Sequence, residues 1–385
     1  MHRRSRAALG ILFAVLLLAT AAACSKSSDS TATGTTSAGA SAPGTGGTAI
    51  GFIMVGPKDD YGYNQAVYEG SQEVGKANPG MKILTAENVP ETPDAERTME
   101  DMITQGAKII FATSYGHLAA AEAVAARHPD VVVVHQGGLT TDPLPNFGTY
   151  FGTVYEPVYL AGMAAGATTK TNKLGYVVAF PIPQTLENVN AFQMGAKSVN
   201  PDATTTVVFT SSWCDPAKQA EAAKSLLDQG VDVLTQHQDC TKTIVETAEA
   251  AGAYSVGYHH DASSLAPHGW ITGSEWNWGP LYNDIVATSL AGNFTGSKYN
   301  ADYRVGLRTG DNPFVQSPFG SMVSADTQAK IEAQKQAFIN GGSPFTGPVV
   351  AQNGDVKIPA GTTPDYASIE QMNYLVQGVV GTLPS

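Results

Sequence analysis

Positive charge is scarce in this sequence. Twenty-two Lys and Arg stand against 34 Asp and Glu, a net charge of −12, and no basic run follows Arg3, Arg4 and Arg6. Phosphate backbones are bound by clustered cations, so composition argues against nucleic acid as a partner. Cysteine is scarce too, at positions 24, 214 and 240 only. His259 and His260 are neighbours on a strand, so they point to opposite sides and share a metal poorly. No recognisable metal spacing is present, and no metal or other cofactor is expected. A G-x-S-x-G elbow, a P-loop and an H-E-x-x-H helix are all missing. "TSYGHL" and "YHHD" gather Ser, His and Asp without joining a nucleophile to a base. The chain is therefore not expected to be an enzyme; a secreted hydrolase is the weaker alternative.

Long apolar runs are also lacking. "AALGILFAVLLLATAAA" is shorter than the about 20 residues of a membrane span. Preceded by three arginines and ending at Cys24, it has the charged, apolar and small-residue regions of an export signal over 1–23. A cysteine directly after "TAAA" resembles a bacterial lipoprotein signal, in which Cys24 would carry lipid; an ordinary signal cut near Cys24 is the alternative. Residues 24–47 are Ser, Thr, Gly and Ala with little to bury, which predicts a flexible tether. Lipid, tether and globular body together place the protein at the outer face of a cell membrane.

What is abundant is alternation. "TAIGFIMV", "MKILTAENV", "AKIIFATS" and "DVVVVHQ" read as strands, the last two as continuous apolar runs covered on both faces. Between them, Ala95, Met99, Met102 and Ile103 form one face of a helix opened by Pro93 and Asp94 and closed by Gly106. "ANPGMKIL", "RHPDVVVV" and "VNPDATTTVVF" each stop a helix at a proline before a strand. The series restarts with the small-residue helix "YLAGMAAGATT" and the strand "KLGYVVAF", and a helix capped by Asp215 follows "TTTVVFTS". Two βα series in 385 residues predict an α/β protein with two open parallel sheets, each covered by helices on both faces. The boundaries read as 48–156 for the first lobe, 157–273 for the second and 274–310 for a return to the first. Residues 292–318 look irregular, and 311–385 form a C-terminal segment packing on lobe 2.

Open α/β sheets bind ligands at the carboxyl ends of their strands. The loops there are "GPKDDYGYN", "TSYGH", "HQGGLTTD", "PIPQ", "SSWCDP", "QHQDC" and "YHHDAS", rich in aromatic, amide and acid groups and nearly free of Lys and Arg. A phosphate or carboxylate would call for cations. The loops instead suit a neutral planar or polyhydroxyl molecule. Cys214 and Cys240 follow neighbouring strands at this end; outside the cell they can be bridged or free, and the sequence leaves both open.

"VGPKDDYGYNQAVYEG", "FATSYG", "VYLAGMAAG", "GYVVAFPIP", "SSWCDPAKQAEAAKSLLDQGVDVLTQHQD", "GYHHDAS", "WNWGPLY" and "PFTGP", in this order, resemble the BMP family. These are basic membrane lipoproteins of the PnrA-like type, the substrate-binding proteins of a class of ABC importers. The resemblance implies a type I periplasmic-binding-protein fold: two doubly wound parallel-sheet lobes, joined by a multi-segment hinge, that close over a purine base or nucleoside. It also implies an ABC transporter permease as partner. The family's aromatic–Asn loop falls on Tyr63, which would stack on the base, and Asn64, which would bond its edge; Asp60 would orient the loop. The second stacking ring falls on Trp213. Ser114, His237, Asp239, His259, Asp261 and Trp276 complete the implied site. "SEWNWGPLY" lacks the Lys that nucleoside-binding members carry there, which favours a free base. A sugar- or autoinducer-binding protein of the same fold is the other binding-protein reading.

Overall fold

The computed structural model describes residues 41–309 and 313–384. The expected export signal, Cys24 and the expected tether as far as residue 40 lie outside the described residues. Lobe 1 begins with β1 (Ala49–Ile53), α1 (Tyr63–Ala77), β2 (Lys82–Ala86), α2 (Asp94–Thr104), β3 (Ala107–Ala112), α3 (Leu118–Arg127), β4 (Val132–Gln136) and β5 (Phe147–Gly152). Lobe 2 follows as α4 (Tyr155–Thr168), β6 (Lys173–Val178), α5 (Pro183–Val199), β7 (Thr204–Phe209), α6 (Pro216–Asp228), β8 (Val233–His237), α7 (Lys242–Ala250), β9 (Tyr254–His259) and β10 (Trp270–Trp276). The remainder is α8 (Gly279–Leu290), β11 (Asp302–Val305), β12 (Phe314–Gln316), α9 (Ala325–Ile339), the small pair β13 (Val349–Val350) and β14 (Val356–Ile358), α10 (Tyr366–Ile369) and β15 (Val379–Val380).

The first sheet has the order β11-β5-β4-β3-β1-β2, with every pairing parallel. The second has the order β12-β10-β9-β8-β6-β7-β15, parallel except for β12 against β10. β1, β4 and β8 are buried along their whole length, as strands covered on both faces must be. On one face of sheet 1, Phe52 and Phe111 stack at 4.5 Å and pack on Tyr282 of α8; Met99 and Met102 of α2 fill the other face. In lobe 2, α4 and α5 touch through glycines. A Cβ on Gly162 would lie 2.2 Å from the Phe192 carbonyl oxygen, and one on Gly166 2.5 Å from that of Ala196. Fully burying a side chain such as Phe192 contributes about 1.5–3 kcal/mol, which these close approaches make possible.

Three segments cross between the lobes: β5 into α4, β10 into α8, and β11 into β12. At the crossings, Leu307 N–H donates to Glu156 Oε2 at 2.8 Å and Asn277 N–H to the Pro313 carbonyl at 2.6 Å. Among the described residues no helix is long and apolar enough to cross a membrane.

The structure corrects the sequence reading at several points. Residues 41–47, read as tether, pack on lobe 1: Gly44, at φ +85°, donates its N–H to the Asp130 carbonyl and presses against Ser289. The loop "HQGGLTTD" after β4 leads to strand β5, which the sequence pattern did not mark. The stretch 292–318 contains β11 and β12, each too short to show periodicity but completed by a neighbour's hydrogen bonds. Asp215 does cap α6, accepting from the Ala217 and Lys218 amides. Cys214 and Cys240 are bridged, with Cα atoms 5.1 Å apart.

Candidate functional site

The loop between β1 and α1 is organised around Asp60. Its buried carboxylate accepts from the N–H groups of Gly62 (2.8 Å), Asn64 (3.1 Å) and Gln65 (3.0 Å) and from Asn64 Nδ2 (2.8 Å). These are the amides at the start of α1 that have no helical partner, so Asp60 caps the helix from two residues before it. Burial pushes the Asp60 carboxyl up from its ordinary range, opposed by those same hydrogen bonds. Asn64 is spent within this network. Its Oδ1 accepts from Gly56 N–H at 3.1 Å, and its Nδ2 reaches across to Asp239 Oδ2 at 3.3 Å. Gly62 is a point of close approach between the lobes, where a Cβ would sit 1.7 Å from the Asp239 carbonyl oxygen. Thr241 Oγ1 donates to the Tyr61 carbonyl beside it.

In lobe 2 the loops after β7 and β8 are tied together. Asp239 N–H donates to the Trp213 carbonyl at 2.9 Å, and the Cys214–Cys240 bridge joins the next residues along. The Trp213 indole N–H points into lobe 1, 3.3 Å from Glu91 Oε2. Glu91 Oε1 in turn accepts from Ser114 Oγ (2.6 Å) and Gly116 N–H (2.8 Å).

These elements border a narrow space between the lobes. Tyr63, Ser114, Tyr115 and Phe151 line it from lobe 1, and Gln184, Trp213, His237, Asp239 and His259 from lobe 2. No lysine or arginine lines it. Burial drives the Asp239 carboxyl well above the usual carboxylate range, helped by the negative charge of Asp60 and opposed by the Asn64 hydrogen bond. Burial lowers His237 to about 3, and His259 is pushed well below the usual imidazole range by burial and then by His237. Both imidazoles are thus neutral at neutral pH. A small, flat-walled, uncharged space with a carboxyl group at its edge can hold an uncharged ring by stacking and hydrogen bonds.

Of the residues expected here, Tyr63, Ser114, Trp213, His237, Asp239 and His259 line the space. Four others do not. Asn64 stands behind Asp239 rather than at a ligand edge, because its amide is consumed by protein partners. Asp60 lies behind the loop it orients. Trp276 backs His259, its Nε1–H donating to His259 Nδ1 at 2.8 Å. Asp261 stands apart: two residues past the strand end the chain has turned, and its carboxylate accepts from Ser263 N–H at 2.9 Å. His260, the first residue past β9, bonds Glu69 and Gln65 of α1, away from the partner of His259.

Tyr115, Phe151, Gln184 and Glu91 were not singled out from the sequence. Tyr115 and Gln184 sit in strand-end loops already under inspection, whereas Phe151 belongs to the unread strand β5. Backbone geometry adds a signal that sequence does not carry. Five described non-glycine residues have positive φ: Tyr61, Asn88, Asn172, Ser211 and His259. Asparagine and histidine tolerate that region, whereas Tyr61 and Ser211 do not favour it; Tyr61, Ser211 and His259 all lie in or beside the loops after β1, β7 and β9.

Comparison with known proteins gives a consistent result. The family described as "ABC transporter substrate-binding protein PnrA-like" matches residues 48–344. A purine-binding protein of Brucella abortus is 35% identical over 339 residues, 87% of this chain and 93% of its own. TsgA13 of Haloferax volcanii, named "putative ABC transporter glucose-binding protein", is 30% identical over 340 residues, 87% of this chain and 81% of its own. Among solved structures, an ABC transporter solute-binding protein from Aeropyrum pernix superposes with a TM-score of 0.68 at 16% identity, covering 84% of this chain and 95% of its own. That likeness concerns the fold, which is the type I periplasmic-binding-protein fold expected from the motifs. With most of its globular body matched, this chain belongs to the PnrA-like family of ABC transporter substrate-binding proteins.

Proposed function

We propose that the protein is a lipid-anchored receptor at the outer face of the membrane, held through Cys24, that binds a purine base between its lobes and presents it to the permease of an ABC importer. The observation that carries this reading is the composition of the interlobe space: aromatic rings from both lobes, no cation, and a carboxyl group beside neutral imidazoles. Tyr63 and Trp213 stack on the faces of the ring, and Asp239 bonds its edge. The lack of a lysine favours a free base over a nucleoside. Purine binding by the Brucella relative supports the ligand class. Binding drives closure because the ligand touches both halves, and the closed form is what the permease reads. The protein acts by binding rather than by catalysis; incubation with nucleosides should release no base.

The name of the Haloferax relative favours a second reading, a sugar, which aromatic and carboxyl groups also suit. A thermal-shift screen of bases, nucleosides and sugars against residues 41–385 separates the two. A purine base raising the melting temperature most supports the proposal. A shift with sugars alone refutes it.

A further inference from the structure

Trp276 and His259 form a pair whose polarity has only one solution. An indole nitrogen carries a hydrogen and offers no lone pair, so it can only donate. Its distance of 2.8 Å from His259 Nδ1 therefore makes Nδ1 the acceptor, and the single proton of the neutral ring sits on Nε2. Nε2 is buried and has no hydrogen-bond partner among the described residues, and His259 lines the interlobe space while Trp276 does not. Trp276 is itself clamped: it stacks on Trp278 at 4.0 Å and 15° and lies 3.7 Å from Phe314 and 5.1 Å from Phe151, ring centre to ring centre. The backbone of His259 is held at φ +75°, in the sparsely populated left-handed region. The indole hydrogen bond and the aromatic clamp thus fix the ring, leaving one buried, unpaired N–H on a side chain that lines the interlobe space.

Resting on the reading of this space as a purine site, we infer that Trp276, acting through His259, is a specificity-determining residue. It obliges the ligand to place a lone pair, a ring nitrogen or a carbonyl oxygen, against His259 Nε2. Asp239 imposes no such demand, since a carboxyl group can accept or, when protonated, donate. The His259 wall therefore rejects a ring that carries C–H or N–H at that position, leaving a buried donor unpaired.

Two measurements test this. Long-range ¹H–¹⁵N spectra of the ligand-free protein should show His259 protonated at Nε2 with an unprotonated Nδ1 from pH 6 to 8, and Trp276→Phe should erase that preference. A His259 protonated at Nδ1 in the wild type overturns the inference whatever the ligand is. Calorimetry then compares the tightest-binding purine with analogues that each lack one acceptor: 1-deaza, 3-deaza, 7-deaza and, for a 6-oxopurine, the 6-unsubstituted ring. One analogue should bind at least about tenfold more weakly to the wild type, and its penalty should fall below about threefold in His259→Phe and in Trp276→Phe. An unchanged penalty in both variants overturns the inference while leaving purine binding intact. Absence of binding by any purine overturns the proposed function, and the spectra then decide the tautomer alone.

Discussion

The two lobes meet at one space but bring different chemistry to it. Lobe 1 contributes the rings of Tyr63, Tyr115 and Phe151 and the aliphatic hydroxyl of Ser114. Its own polar specialists, Asp60 and Asn64, are turned inward to hold the start of α1. Lobe 2 contributes one large ring, Trp213, and most of the hydrogen-bonding groups: Gln184, His237, Asp239 and His259. On the proposed function, lobe 1 would cover one face of the ligand, and lobe 2 the other face and an edge. Neither half alone would then specify the ligand, and recognition and closure would be the same event. The coupling is visible at Asn64, which belongs to the lobe 1 loop yet reaches the Asp239 carboxyl of lobe 2.

The comparison can be broken most severely at Asp239. If lobe 2 reads the edge through this carboxyl, Asp239→Ala should weaken binding of the purine by about 10- to 100-fold, since leaving a buried hydrogen-bonding group of the base without its partner costs about 1–3 kcal/mol. The unliganded variant should melt no lower than wild type, because a buried carboxyl whose charged form burial penalises is removed. Calorimetry showing less than a threefold loss would end the assignment of edge recognition to this residue.

Next comes the face contributed by lobe 2. Stacking of a base on an aromatic side chain contributes about 1–3 kcal/mol, so Trp213→Ala should cost at least about tenfold in affinity, and Trp213→Phe should recover most of it. An unchanged dissociation constant for Trp213→Ala would mean that the indole serves only its contact with Glu91.

The disulfide sharpens the same point at a lower level. Cys214 and Cys240 directly follow Trp213 and Asp239, so the bridge locks a face residue to an edge residue. Replacing both by serine should lower affinity about three- to tenfold. It should also lower unfolding stability, by about 3–4 kcal/mol on the chain-entropy estimate for a 26-residue separation. Titration in the presence of a purine, with denaturation followed in parallel, measures both; a stability loss without an affinity loss would confine the bridge to folding.

The smallest effect is expected at the rim, where His260 of lobe 2 meets Glu69 of lobe 1 at 3.3 Å. The Glu69 hydrogen bond raises the His260 value above its usual 6.5 against the opposing effect of burial, and lowers that of Glu69. Because the closed form holds this proton more tightly, the bridge is complete below pH 6.5 and is lost as pH rises through the raised value. Glu69 is more than half exposed, so screening keeps the contribution small. Wild type should bind about two- to threefold more tightly than His260→Gln at pH 6, and the advantage should vanish by about pH 8.5. A constant ratio across that range would remove His260 from the closure mechanism.

How much of this was legible beforehand follows the same physical lines. The open parallel sheets could be read because β3 and β4 are continuous apolar runs and because three helices stop at proline before a strand. Tyr63 and Trp213 were reached through the family resemblance, whose aromatic positions fall in loops at the carboxyl ends of strands. Asp261 misled because an aspartate just past a strand is equally suited to capping a local turn, and only the path of the chain distinguishes the two uses. Phe151 was invisible because β5 lacks the β-branched run of its neighbours and is completed by β11, about 150 residues later. Glu91 and the Trp276–His259 pair depend on contacts between distant segments, which no local pattern encodes. The positive φ at His259 belongs to the same class.

The account rests on a flat, uncharged ring held between aromatic side chains from opposite lobes. A crystal structure of the protein with the purine base that raises its melting temperature most tests this directly. The base should lie with its faces against the Tyr63 phenol and the Trp213 indole and its edge within hydrogen-bond distance of Asp239. A base bound elsewhere, or one that meets the site without touching both rings, would contradict it.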